Sequence, residues 1–137
     1  MNKNLYKNIV NLLGSAGQKW LDDSSMILNH LSKYWNLFDI SPVSNMSYNY
    51  VAKSTQNGEN IVIKISPKSS MIDDEIKALK YFEGNGFIKL LDHNEEYNAI
   101  LLEQALPGIS LKDIKQNQIE IYSRALSKPI ILSLNYV

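Results

Sequence analysis

The 137-residue chain contains no cysteine, which excludes a disulfide framework, a thiolate zinc site and a cysteine nucleophile. Its two histidines, His30 and His93, are too few for an imidazole metal cluster. Arg124 is the single arginine, and 14 basic residues balance 14 acidic ones for a formal net charge of zero. Binding to nucleic acid draws on net positive charge and arginine forks, so no such partner is expected. No apolar run approaches the roughly 18 residues that a membrane span needs, and no membrane partner is expected either. Near the start, Asn8 and Asn11 interrupt Leu5, Ile9, Val10, Leu12 and Leu13. The segment therefore lacks the apolar region of a signal peptide and reads as an amphipathic helix in a soluble, cytoplasmic protein. Repeats and low-complexity tracts are absent. The fifteen asparagines and sixteen isoleucines read as a coding bias toward A and T.

The length and an apolar content of 45% suit one modest core and fit a two-lobed enzyme poorly. After a break from Gly14 to Gly17, Asp22, Asp23 or Ser24 can cap a helix carrying Ile27, Leu28, Leu31, Tyr34 and Trp35, one stripe of a 3.6-residue period. The first forty residues are expected to be helical, with Trp20, Tyr34 and Trp35 in packing. Pro42 marks a change of character. Strands are expected at 48–53 and 61–65 around the hairpin-grade turn Asn57-Gly58. Ser70, three residues before Asp73, resembles the start of a capping box for a helix over 71–82, which Gly84 and Gly86 stop. Strands at 87–91 and 98–103 follow, joined across a polar segment. The order of elements predicts an α+β fold built on an antiparallel sheet of about five strands. A short amphipathic segment, 111–121, and an apolar tail, 128–137, complete the chain. The expected division is N-terminal helices (1–40), a sheet-bearing lobe (41–106), and a linker with the start of a second lobe (107–137).

Along residues 61–65 the side chains alternate, so Ile61, Ile63 and Ile65 face one way while Val62 and Lys64 face the other. In the next helix Glu75, Leu79 and Phe82 share a face, which turns a carboxylate toward the sheet. A buried unpaired charge costs several kcal/mol, and Lys64, eleven residues earlier, is the natural partner. The plainer alternatives are a solvent-facing lysine on an edge strand and a surface pair between Glu75 and Lys77 or Lys80. A strand lysine paired with a glutamate on the following helix is the device by which protein-kinase-like folds hold the α and β phosphates of a nucleotide.

Taken with Ile88-Lys89-Leu90-Leu91-Asp92, and with the run from Ala99-Ile100-Leu101-Leu102-Glu103 through Gln104-Ala105-Leu106-Pro107-Gly108, this pattern resembles the aminoglycoside phosphotransferase and hydroxyurea-resistance kinase family. Trp20-Leu21-Asp22-Asp23 and Trp35 are similar to its streptomycin 6-kinase-like branch. The resemblance covers roughly residues 18–115 and implies a protein-kinase-like N-terminal lobe. It implies ATP as cofactor, with Lys64 on the phosphates, Glu75 as its partner, Val62 as a wall of the adenine pocket, and the backbone of Gln104 and Leu106 at the adenine edge. Ser47 and Asn49, in a loop without glycine, would take the place of a phosphate-wrapping loop, although an ordinary polar turn is the simpler reading.

The sequence departs from that family in lacking a His-Gly-Asp segment with its following Asn and the later magnesium-binding Asp. Phosphoryl transfer needs that base and metal, so no catalytic residue or magnesium ligand is expected here. A complete second lobe takes on the order of 100 further residues. The resulting expectation is the N-lobe portion of an ATP-dependent small-molecule O-phosphotransferase, truncated or split, inactive alone, and partnered by nucleotide and by a second-lobe chain or a second copy of itself. The alternatives are a noncatalytic protein-binding module and a decayed gene product.

Overall fold

The computed structural model describes residues 2–82 and 88–104. The first helix, α1 (Lys3–Tyr34), begins at Asn2, whose side-chain oxygen accepts from the backbone N–H groups of Asn4 and Leu5, both at 3.1 Å. This satisfies two of the donors that a helix start leaves unpaired. At Gly14 the backbone leaves the helical region with φ 59° and ψ −130°, a conformation that a residue with a Cβ resists. The chain reverses there. Tyr6 hydrogen-bonds through its hydroxyl to Gln18, twelve residues on, a separation of about 18 Å along a straight helix. The two arms meet so closely that a Cβ on Gly17 would lie 2.6 Å from the carbonyl oxygen of Ile9.

Asn36, at φ 54°, turns the chain out of α1 into β1 (Leu37–Pro42). Then come β2 (Tyr50–Gln56), β3 (Glu59–Ile65), a 3₁₀ turn (Ser69–Met71), α2 (Asp73–Phe82), β4 (Leu90–Asn94) and β5 (Ala99–Glu103). The strands form one sheet in the order β1-β2-β3-β5-β4 with every neighbour antiparallel. This is the α+β architecture of a kinase-like N-terminal lobe. The β2–β3 hairpin closes through Asn57 at φ 51° and Gly58 at φ 80°, the two positive values that a type I′ turn requires.

Both faces of the sheet are covered. On one, Ile61, Ile63, Ile65, Ala52, Ala99 and Leu101 pack against Ile27, Leu31 and Trp35 of the α1 end. On the other, Val51, Val62, Ile100 and Leu102 pack against Ile72, Ile76, Leu79 and Phe82. A third cluster joins Leu5, Ile9 and Leu21 of the two α1 arms to Met46 in the β1–β2 loop. Two hydrogen bonds tie the end of α1 to the β4–β5 hairpin. Trp35 Nε1 donates to Asp92 Oδ2 at 2.8 Å, and His30 Nδ1 lies 2.6 Å from the Tyr97 hydroxyl. Among the described residues no helix is long and apolar enough to cross a membrane.

Several sequence expectations are corrected. Residues 37–40 are strand rather than helix, and Pro42 closes that strand instead of preceding the sheet. Because β1 is an edge strand, a residue without an N–H does no harm there. Asp22, Asp23 and Ser24 lie inside α1, since the break is confined to Gly14, and Tyr34 is 63% exposed rather than packed. The strand expected at 48–53 begins at Tyr50 and runs to Gln56. The helix expected from residue 71 starts at Asp73, because Ser70 sits in the 3₁₀ turn. The strand expected at 87–91 is displaced to Leu90–Asn94, where an edge position tolerates Asp92, His93 and Asn94. Gly84, Gly86, Leu106 and the segments 111–121 and 128–137 lie outside the described residues.

Candidate functional site

Lys64 sits at the middle of the sheet, opposite Val51 on β2 and Ile100 on β5. Alternation sends its side chain to the face covered by α2, where it is 1% exposed, so the edge-strand alternative does not hold. Glu75, in the first turn of α2, is 5% exposed on the same face. The Lys64 Nζ donates to both of its carboxylate oxygens, at 2.8 Å to Oε1 and 2.7 Å to Oε2. Lys77 and Lys80 are exposed and stand outside this pair.

The face that carries the pair also carries an apolar cluster that includes Val51, Val62, Ile76, Leu79, Ile100 and Leu102. Taking the two charges out of water costs several kcal/mol each, and only close bidentate contact offsets that cost. An ammonium carries three donors, so the grip on Glu75 leaves Lys64 one N–H for a further acceptor. Val62, one turn of alternation away on β3, is 1% exposed and belongs to the same cluster.

The remaining expected residues are dispersed around this centre. Gln104 follows β5 directly, and its backbone N–H donates to the Asn60 carbonyl at 3.3 Å, extending the ladder by one bond. Ser47 is exposed in the loop between β1 and β2. Asn49, in the same loop, accepts through its side-chain oxygen from the hydroxyl of the buried Ser66 just past β3. Burial raises the phenol of Tyr50, at the end of that loop, above its ordinary value of 10.0.

Sequence reasoning passed over the residues that hold the loop. The side chain of Asn2 donates to the Ser44 carbonyl at 2.8 Å, that of Asn4 to the Met46 carbonyl at 2.8 Å, and that of Asn8 to the Ser47 carbonyl at 2.9 Å. The available signal was that Asn4 and Asn8 are four apart, on one face of a helix whose interior asparagine disfavours.

Among the described residues no group of three or more His, Cys, Asp or Glu could hold a metal ion.

No curated protein matches the chain. The family model described as aminoglycoside/hydroxyurea antibiotic resistance kinase matches residues 35–128, well over half of the sequence, in a range that runs from the end of α1 through all five strands and the Lys64–Glu75 pair. The chain therefore belongs to the aminoglycoside/hydroxyurea antibiotic resistance kinase family.

Proposed function

We propose that this chain binds ATP and contributes the nucleotide-holding half of an ATP-dependent phosphotransferase acting on a hydroxyl of an aminoglycoside or similar polyol. The observation that carries the reading is the buried bidentate pair between Lys64 and Glu75 on the central strand and the following helix. Glu75 fixes the ammonium in one place and leaves it a donor for the α and β phosphates. Val62 supplies apolar wall for the adenine, and the backbone of Gln104 and Leu106 meets its edge. Ser47 and Asn49 stand at the loop assigned to the phosphates.

Magnesium, when bound, neutralises charge developing on the transferred phosphoryl group. Its ligands and the base that orients the acceptor hydroxyl are assigned to a catalytic lobe, since these 137 residues contain no His-Gly-Asp segment. The partners proposed are therefore nucleotide and that lobe, and these residues alone should not transfer phosphate.

The test is thermal unfolding with and without ATP. At ATP a hundredfold above the dissociation constant the native state gains about 2.7 kcal/mol. Lys64→Ala is expected to abolish that gain, and a wild-type protein unaffected by ATP would overturn the reading. Incubation with γ-labelled ATP and an aminoglycoside is expected to leave the acceptor unlabelled.

A further inference from the structure

A cavity of about 540 Å³ opens between the second half of α2 and β4, the edge strand of the sheet. Leu79 of α2 and Leu90 and Leu91 of β4 give it an apolar lining. Leu79 is 1% exposed and Leu91 41%, so that lining runs from the core out to solvent. Lys80 and Lys89 line it as exposed ammonium groups, and among the described residues no carboxylate lies within ion-pair distance of either. Register sorts the next two groups. Leu90 lies opposite Leu102 on the α2 side, and simple alternation from it would send Asp92 to that side as well. A register shift between Leu90 and Asp92 reverses the order. His93 lies opposite Ile100, whose side chain packs under α2, so the imidazole shares the side of the cavity, whereas Asp92 lies opposite Leu101, which packs under α1. The Asp92 carboxylate accepts from Trp35 Nε1 of α1 with one oxygen and from the His93 backbone N–H with the other, both at 2.8 Å. The cavity is thus left with cations and an imidazole beside leucine.

We propose that this cavity binds a small amphipathic carboxylate, an aliphatic chain ending in one carboxylate group. The chain lies on the three leucines, and the carboxylate meets Lys80, Lys89 and the imidazole of His93. The site is separate from the Lys64–Glu75 pair and does not depend on the ATP reading. Exposed ion pairs contribute little by themselves, whereas each methylene taken out of water adds about fourfold in affinity, so binding needs both parts of the ligand. The volume falls within the range of small-molecule clefts, about 300–1,000 Å³. A specific protein interface takes about 800 Å² from each partner, more than a strand of 5 residues and the last turn of a helix present. Residues 105–137 bring Lys112, Lys115, Arg124 and Lys128 against Asp113 and Glu120, the wrong sign for a basic groove.

Octanoate is the probe, followed through the backbone ¹H–¹⁵N signals of the wild-type chain. Saturable shifts are expected at residues 79–80 and 89–93. Butanoate, with the same carboxylate on a shorter chain, is expected to bind about tenfold more weakly or worse. Octylamine, with a chain of the same length and the opposite charge, is expected to leave these signals in place. The double variant Lys80→Glu/Lys89→Glu changes two exposed side chains and is expected to weaken octanoate about tenfold or more while gaining a response to octylamine. The wild-type comparison of octanoate with octylamine decides the question even if that variant folds poorly. No saturable shift, equal responses to the two probes, shifts centred on Lys64 and Glu75, or a folded double variant that binds octanoate as before would each overturn the proposal.

Discussion

Lys64 and Glu75 grip each other through both carboxylate oxygens, at 2.8 and 2.7 Å, from the central strand of the sheet and the first turn of the helix laid across it. Neither side chain reaches solvent to any useful extent, at 1% and 5% exposure. Well-packed apolar residues of similar volume would serve the core as well or better, so stability alone does not account for the charges. On the proposed function, a charge held at one point with a donor to spare accounts for them.

A double-mutant cycle on the pair separates stability from binding. Glu75→Ala leaves an uncompensated buried ammonium and is expected to cost about 3–5 kcal/mol, and Lys64→Ala about as much. Lys64→Met combined with Glu75→Leu is expected to restore most of that stability without restoring any response to ATP. Denaturant unfolding checks the first outcome and the nucleotide-induced shift checks the second.

The reversal of α1 depends on two glycines for different reasons. A Cβ on Gly17 would press on the Ile9 carbonyl at 2.6 Å and on its side chain at 2.8 Å, so Gly17→Ala is expected to cost about 1–3 kcal/mol through overpacking. Gly14 has open space around it but sits at φ 59°, so Gly14→Ala is expected to cost a similar amount through backbone strain. If the arms part, circular dichroism should retain the helix signal while the backbone ¹⁵N order parameters of residues 44–48 fall.

Stability should depend on pH through Tyr50. Burial raises its folded-state pKa above 10.0, so the unfolded chain ionises first. The contribution of this group is complete below pH 10.0 and is lost as pH rises through the higher folded value. The expected result is that wild-type unfolding free energy falls more steeply than that of Tyr50→Phe as pH is raised past this point. Parallel curves for the two proteins would contradict the assignment.

Asp92 should matter more than its exposure suggests, because it accepts from the indole of Trp35, which is 4% exposed. Asp92→Ala leaves that N–H buried without an acceptor and is expected to cost about 1–3 kcal/mol. Asp92→Asn keeps an acceptor oxygen and is expected to cost less. Thermal unfolding of the two variants orders them.

Short-range physics made much of this legible. Alternation along residues 61–65 correctly divided the three isoleucines from Val62 and Lys64, the spacing of Glu75, Leu79 and Phe82 put the carboxylate on the packed face, and Asn57-Gly58 forecast the hairpin. Each rests on the geometry of a few adjacent residues, which the sequence states directly. The strand at β1 was missed because the helical stripe through Tyr34 and Trp35 was carried on to residue 40, whereas the chain turns out of the helix at Asn36, at φ 54°. The asparagines read as compositional bias proved to have local work, with Asn36, Asn57 and Asn98 in left-handed turns and Asn2, Asn4 and Asn8 on the loop.

By itself, then, the sequence determined the α+β class, the strand lysine with its candidate glutamate partner, and the family. Only the tertiary structure decided that β3 lies inside the sheet, which buries the pair, and that α1 folds back at Gly14 to bring residues 2–8 against residues 44–47. The physical reason is the range of the interactions. A side chain's direction follows from its own strand or helix, whereas a hydrogen bond across 39 to 42 residues exists only once the whole chain has found its packing.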